Sequence, residues 1–234
     1  MGAEAPKEGQ YHYQKYTLGV KPVAPVIERV YANFSALPEG SWVLDLGSGS
    51  GRLELNAPKP RPYRFLGLDQ SSIAINQFRE AIYQAGRMDE AMIGDITDLH
   101  LPTGREFRGA VSWRVLHALA PYQQLRVVDQ VRRILPPEAP FFIALVSDKD
   151  WKAGELAARG LYIPNILNEC QAIMGLEESF KVDFYDSVKI EGLAKRSGFR
   201  VEGIEEFTEL TGFEHLQETH PDNTYLFAHL IRQV

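Results

Sequence analysis

Cysteine is almost missing from these 234 residues, and Cys170 stands alone. A single thiol cannot close an internal cross-link, so a disulfide framework is excluded and a reducing compartment is expected. Long apolar runs are missing as well, and no stretch is long enough to cross a bilayer as a helix. The first nine residues are small and charged, without the apolar segment of a secretory signal, so the expected location is cytoplasmic. There is no block of lysine and arginine either, and the net charge is −6. A phosphate backbone calls for a basic face, so nucleic acid is set aside, and without a spanning apolar run no membrane partner is expected either. What is plentiful is apolar residue, at 44 %. That suits one domain with a full core, or one domain with a small cap.

The chain is organised around Val43-Leu44-Asp45-Leu46-Gly47-Ser48-Gly49-Ser50-Gly51-Arg52. Residues 42–46 read as a buried parallel strand, too short for a helix. Gly47, Gly49 and Gly51 allow a tight turn whose backbone reaches positive φ and approaches a ligand closely. Residues 52–56 then begin a short helix, whose free N–H groups face whatever rests on the loop. Such a strand–loop–helix unit suits a nucleotide-like ligand.

The spacing is G-x-G-x-G, not the G-x-G-x-x-G of dinucleotide folds. With Asp45 two residues ahead of the first glycine, it resembles motif I of the class I S-adenosylmethionine-dependent methyltransferases. In that family the loop, here Gly47, Ser48, Gly49 and Gly51, wraps the methionine part of the cofactor. The difference has a physical sense: this cofactor has no pyrophosphate, but a sulfonium and an amino-acid tail, so an acid at the strand end is useful. A second short strand, residues 64–69, ends on Asp69, placed to accept both ribose hydroxyls. Gln70 follows it, and Ser71 or Ser72 should cap a helix over residues 73–85. The Asp69 role is shared with nicotinamide enzymes and does not choose between the two cofactors. A third strand, residues 91–94, leads into Asp95 and Ile96. By the resemblance, which covers roughly residues 40–147, Asp95 accepts from the adenine amine and Ile96 packs on the ring. Alternatively, Asp95 merely opens a turn with Thr97 and Asp98.

Residues 109–114 read as a fourth strand. Open α/β sheets bind ligands at the carboxyl ends of their strands. Ser112 and Trp113 are therefore expected beside the cofactor, and Arg114 and His117 beside the acceptor. The segment Ser112-Trp113-Arg114-Val115 lacks the Asn/Asp-Pro-Pro-aromatic signature of amino-methylating nucleic-acid enzymes in this superfamily. It also lacks an acid for the divalent cation of catechol-type members. Cys170 lies too late in the chain for a cytosine-methylating nucleophile. His117 is the candidate general base, a wall of the site, or plain structure. No base is required in principle, because an in-line acceptor beside a reactive sulfonium supplies much of the rate. Arg114 could pair with an acidic acceptor group, or equally make a surface ion pair of little worth.

A helix over residues 121–135 is expected to turn Leu125, Val128, Val131, Ile134 and Leu135 inward and to stop at Pro136-Pro137. A fifth buried strand covers residues 140–146. Residues 148–186 are longer than one crossover needs and rich in aromatics, and they read as a partly helical cap over the acceptor, with Trp151 and Tyr162 lining it. The alternative is a satellite hydrophobic cluster without a ligand. Tyr11, His12, Tyr13 and Tyr16, in the segment 1–37, suggest a lid over the cofactor, with Tyr16 touching substrate. At the end, a helix from residue 187 should turn Val188, Leu193 and Ala194 inward and stop at Gly198. A strand over 199–207 and another over 223–231 follow. Such a closing hairpin looks like the reversed seventh strand of class I methyltransferases, and a nicotinamide domain would not need it.

The expectation is therefore an α/β, doubly wound, seven-stranded and mostly parallel sheet with an antiparallel last strand, the Rossmann-like methyltransferase fold. Residues 1–37 form the lid, 38–147 the cofactor core, 148–186 the cap and 187–234 the closing helix and hairpin. The implied cofactor is S-adenosyl-L-methionine and the implied partner a small-molecule acceptor, without a metal, in a monomer or homodimer. A nicotinamide-dependent oxidoreductase and a non-catalytic cofactor-binding regulator are the alternatives.

Overall fold

The computed structural model describes residues 25–170, 181–209 and 223–234. Residues 1–24 of the expected lid, with Tyr11, His12, Tyr13 and Tyr16, and residues 171–180 of the insertion lie outside the described residues. The chain divides between Val111 and Ser112 into two compact units.

In the first unit, α1 (Ile27–Ser35) follows Pro25 and buries Ile27, Val30, Tyr31 and Phe34, spaced three and four apart. Then come β1 (Ser41–Leu46), α2 (Arg52–Asn56), β2 (Tyr63–Asp69), α3 (Ser72–Gln84), β3 (Glu90–Ile93) and most of β4 (Phe107–Trp113). Strand β1 pairs in parallel with β2 and β4, and β2 with β3. β1 and β2 are apolar and mostly buried, as parallel strands covered on both faces must be. Ser71 caps α3 by accepting the Ala74 N–H at 3.2 Å. Below the strands, Phe34, Tyr63 and Phe65 meet edge to face, with centroids 5.4 to 6.1 Å apart. The guanidinium of Arg61 pairs with buried Asp89, which also accepts the Phe65 N–H at 2.8 Å. That pair fixes how the chain enters β3.

The second unit holds α4 (Pro121–Ile134), β5 (Pro140–Val146), α5 (Trp151–Ala158), the short β6 (Asn168–Glu169) and β7 (Lys181–Val182), α6 (Ser187–Arg196), β8 (Phe199–Glu209) and β9 (Asn223–Arg232). β9 runs antiparallel to both of its neighbours, β5 and β8. The seven-stranded sheet has the order β3-β2-β1-β4-β5-β9-β8. The expected doubly wound sheet with a reversed last strand is therefore the fold observed. β6 and β7 form a separate two-stranded sheet in the insertion.

Two helix faces differ from expectation. In α4 the inward residues are Gln124, Val127, Val128 and Val131, while Leu125 and Ile134 are half-buried. In α6, Val188 is 72 % exposed and Ile190 takes its place beside Leu193 and Ala194. Asp186 sets that phase: its carboxylate accepts the Lys189 N–H at 2.7 Å, and the three-and-four spacing then runs from 190, not 188.

Candidate functional site

In the first unit, the ends of β1, β2 and β3 fall on one edge. The register pairs Leu46 with Leu68 and Asp69 with Ile93, so Asp45, Asp69 and Asp95 leave three adjacent parallel strands at the same end. The loop after β1 is fastened from below, because the N–H groups of Gly47 and Ser48 both donate to the Leu68 carbonyl, at 2.7 and 3.1 Å. It is fastened from the side by Asp69, whose Oδ2 accepts the Gly49 N–H at 3.0 Å and whose Oδ1 accepts the Ser71 N–H at 2.8 Å. Sequence reasoning assigned Asp69 to a ligand and missed this clamp. Burial raises the Asp69 pKa, and the two N–H groups pull it back down. A carboxylate has about four lone-pair sites, so two are left for hydroxyl groups after the clamp is made.

The three glycines do not share one task. Gly49, at φ +57°, presents its N–H to Asp69. Gly51, at φ +84°, begins α2 in the left-handed region, and a Cβ there would lie 2.1 Å from Phe78 Cδ2. It is the close-packing glycine between the loop and α3. The Ser48 side chain is buried, and a Cβ at Gly67 would lie 2.7 Å from its Oγ, so that hydroxyl faces β2.

Beneath the loop lies an acid pair. Asp45 is 1 % exposed and its Oδ1 has no hydrogen-bond partner; Glu54 on α2 is fully buried and neither of its oxygens has one. Burial pushes Asp45 up to about 7, with the Asp69 charge adding to the rise and Glu54 opposing it. Burial, then the Asp45 charge, raises Glu54 well above the carboxylate range. Glu54 was not singled out from sequence, where it reads as an ordinary helix glutamate.

At the third tip, Asp95 is exposed and makes a local turn: its Oδ1 accepts from the Thr97 N–H at 2.7 Å and from the Thr97 hydroxyl at 2.8 Å. Ile96 next to it is buried, and Gln70 is exposed. Partly unsatisfied carboxylates, a backbone N–H loop and an apolar residue at one sheet edge fit a ligand with a cationic amino-acid end, a ribose and a flat base. S-adenosylmethionine is such a ligand.

The second unit carries the remaining candidates. Ser112 and Trp113 are buried, and Trp113 packs on Phe207 and Phe227 with its Nε1 unpartnered. Arg114 sits at φ +64°, uncommon for a side-chain-bearing residue, with its guanidinium 4.7 Å above the Tyr225 ring. His117 lies on a single 3₁₀ turn, 7 % exposed, with Nδ1 unpartnered. Burial, with Arg114 and Lys152 nearby, lowers its pKa to about 3, so the ring is neutral near pH 7.

Trp151 donates to Asn223 Oδ1 at 3.3 Å, and Tyr162 meets Phe184 at 5.8 Å. Both pack on a cluster of Val146, Ala153, Leu156, Cys170, Val182, Phe184 and Tyr225. The insertion therefore packs on β5, β8 and β9 through this cluster, and these two rings are part of it. Among the described residues, no group of three or more His, Cys, Asp and Glu side chains is arranged to hold a metal ion.

Residues 43–138 match the family model described as a methyltransferase domain. No curated protein matches the chain in sequence. Among solved structures, a SAM-dependent methyltransferase from Methanosarcina mazei matches with TM-score 0.70 at 18 % identity, covering 91 % of this chain and 99 % of that one. Magnesium protoporphyrin IX methyltransferase from Synechocystis PCC 6803, with bound SAH, gives 0.61 at 13 % identity, over 89 % of this chain and 82 % of that one. The [4+2]-cyclase SpnF gives 0.65 at 14 % identity, over 89 % and 81 %. At these identities the likeness is one of fold.

Proposed function

We propose that this chain is a class I, S-adenosylmethionine-dependent methyltransferase and that it methylates an oxygen, nitrogen or carbon atom of a small organic acceptor by direct displacement, without a metal ion; the match of residues 43–138 to a methyltransferase-domain model supports this. The cofactor is S-adenosylmethionine. When bound, it supplies a methyl group that is already electrophilic. Asp45 and the loop of Gly47, Ser48, Gly49 and Gly51 hold its amino-acid end. Asp69 takes the ribose with the lone pairs its clamp leaves over, with Gln70 beside it. Asp95 and Ile96 take the adenine, and Ser112 and Trp113 complete the set. The observation that carries this reading is the row of carboxylates on three adjacent strand tips, with Asp69 tying the glycine loop to the second of them.

For the acceptor we assign Arg114, His117, Trp151 and Tyr162, together with Tyr16, which lies outside the described residues. The aromatic surroundings of Trp113, Arg114 and Tyr225 support a partly apolar acceptor. His117 is assigned to the wall of the site. A base whose conjugate acid has a pKa of about 3 takes up a proton poorly near neutrality. Placing the acceptor in line with the methyl group is then the main source of rate. A cytoplasmic monomer or homodimer is part of the same proposal.

The test is S-adenosylhomocysteine formation against a broad panel of small acceptors, with calorimetric titration of S-adenosylmethionine in parallel. Turnover with at least one small acceptor is the expected result. Cofactor binding without turnover would favour a second reading, a protein that uses the pocket for something other than methyl transfer. The neighbouring fold called a [4+2]-cyclase gives that reading its one support.

A further inference from the structure

Glu54 takes no part in the reading above, yet its placement is chemically costly. It sits on a helix of five residues with its carboxyl fully buried and both oxygens unpartnered. Its closest acidic neighbour is Asp45, also buried, with Oδ1 unpartnered.

Of the groups facing the pair, none hydrogen-bonds to a Glu54 carboxyl oxygen. From α1, the Tyr31 hydroxyl is spent on the Leu53 carbonyl at 2.8 Å. From β2, Asp69 adds a further negative charge. Ahead of β3, Asp89 is paired with Arg61, whose Nη1 also donates to the Glu54 main-chain carbonyl at 3.4 Å; Arg87 acts on Glu54 through its charge, but its Nη2 donates to the Leu55 and Ala57 carbonyls at 2.6 and 3.0 Å and it makes no hydrogen bond to the Glu54 carboxyl. Two adjacent buried carboxyls resist ionising together.

We propose that Asp45 and Glu54 hold a proton between them beneath the glycine loop, and that arrival of the cationic cofactor drives it out to solvent. The step rests on the assignment of Asp45 to the cofactor site. Glu54 is a positioning residue here, since it acts through Asp45. No bond to carbon changes: one O–H bond of the pair breaks, the proton goes to buffer, and the negative charge left behind faces the positive ligand. The raised pKa of Asp45, about 7, places the exchange near neutrality. The device also separates substrate from product. S-adenosylmethionine carries a sulfonium charge that S-adenosylhomocysteine lacks, so the product expels the proton less well and the pair recaptures it after transfer.

Calorimetry of the full chain in two buffers of different ionisation enthalpy counts the protons released on binding. S-adenosylhomocysteine has the same α-amino group as S-adenosylmethionine and controls for its titration. Near pH 7 the wild-type protein should release more protons with S-adenosylmethionine than with S-adenosylhomocysteine. Its S-adenosylmethionine affinity should rise about tenfold from pH 6 to pH 8, as linkage to one group near pH 7 requires. In Glu54→Gln the difference between the two ligands should vanish and the affinity profile flatten. Equal proton release for both ligands in the wild type, or an unchanged difference in Glu54→Gln, overturns the proposal. The wild-type comparison decides it alone if the variant does not fold. No binding of S-adenosylmethionine at any pH would instead overturn the cofactor assignment.

Discussion

At Gly51 the backbone is left-handed and its α-carbon faces the Phe78 ring, so two separate demands fall on one residue. Alanine meets neither. The left-handed region costs a side chain about 1–2 kcal/mol, and the new methyl group would press into Phe78. Gly51→Ala should therefore lower the melting temperature by several degrees and weaken S-adenosylmethionine binding together. A melting curve with and without ligand checks both. Asp69 carries a different prediction. Asp69→Ala removes the loop clamp and the ribose acceptor at once, and should weaken cofactor binding by about 1–3 kcal/mol by titration calorimetry. Unchanged affinity would take Asp69 out of the site. The glycines and strand-end acids were legible because each strand ends on an acid and the glycine spacing is local. The direction in which Ser48 points and the burial of Glu54 were not, since both depend on β2 and α1 closing over the loop.

Among the elements, α4 shows what a sequence pattern hides. Gln124 reads as a solvated helix position, yet it is buried and joins several segments of the second unit. Its Nε2 donates to the Leu119 carbonyl at 2.8 Å and to Asp183 Oδ2 at 3.0 Å, and its Oε1 accepts from the Tyr185 hydroxyl. Asp183 pairs with Lys189, and its N–H donates to the His117 carbonyl at 2.7 Å. The turn carrying His117 is thus braced from the far end of the insertion. Gln124→Leu would remove the hydrogen bonds it makes to the Tyr185 hydroxyl and to one Asp183 oxygen. It should cost about 1–3 kcal/mol in denaturant unfolding. Val188→Ala, on the exposed side of α6, should stay within about 0.5 kcal/mol. The period of both helices was visible in the sequence. Their phase was not, because a capping aspartate and a buried amide, rather than apolar spacing, decided it.

For the molecule as a whole, two buried groups tilt the pH dependence of stability in opposite directions. His117 has its folded pKa lowered from 6.5 to about 3, so its contribution is present above pH 6.5 and is lost as pH falls towards 3. Asp45 has its folded pKa raised from 3.8 to about 7, so its contribution is present below pH 3.8 and is lost as pH rises through 7. Removing the second carboxyl relieves the alkaline side alone. Glu54→Gln should therefore raise the melting temperature of the cofactor-free protein more at pH 8 than at pH 5, and a larger gain at pH 5 would contradict the acid pair. The sheet order was readable in outline, since a Gly-Phe turn between a helix and an alternating strand, followed by one more strand, announces a closing hairpin.

The same hairpin bears on how the chain is made. β9 is synthesised after β5 and β8, yet it lies between them. A nascent chain that has emerged through Glu209 holds two strands whose shared partner is still inside the ribosome. Their open edges are what holdase chaperones recognise, so arrested chains ending before Asn223 should collect them, and chains that extend past Arg232 should shed them.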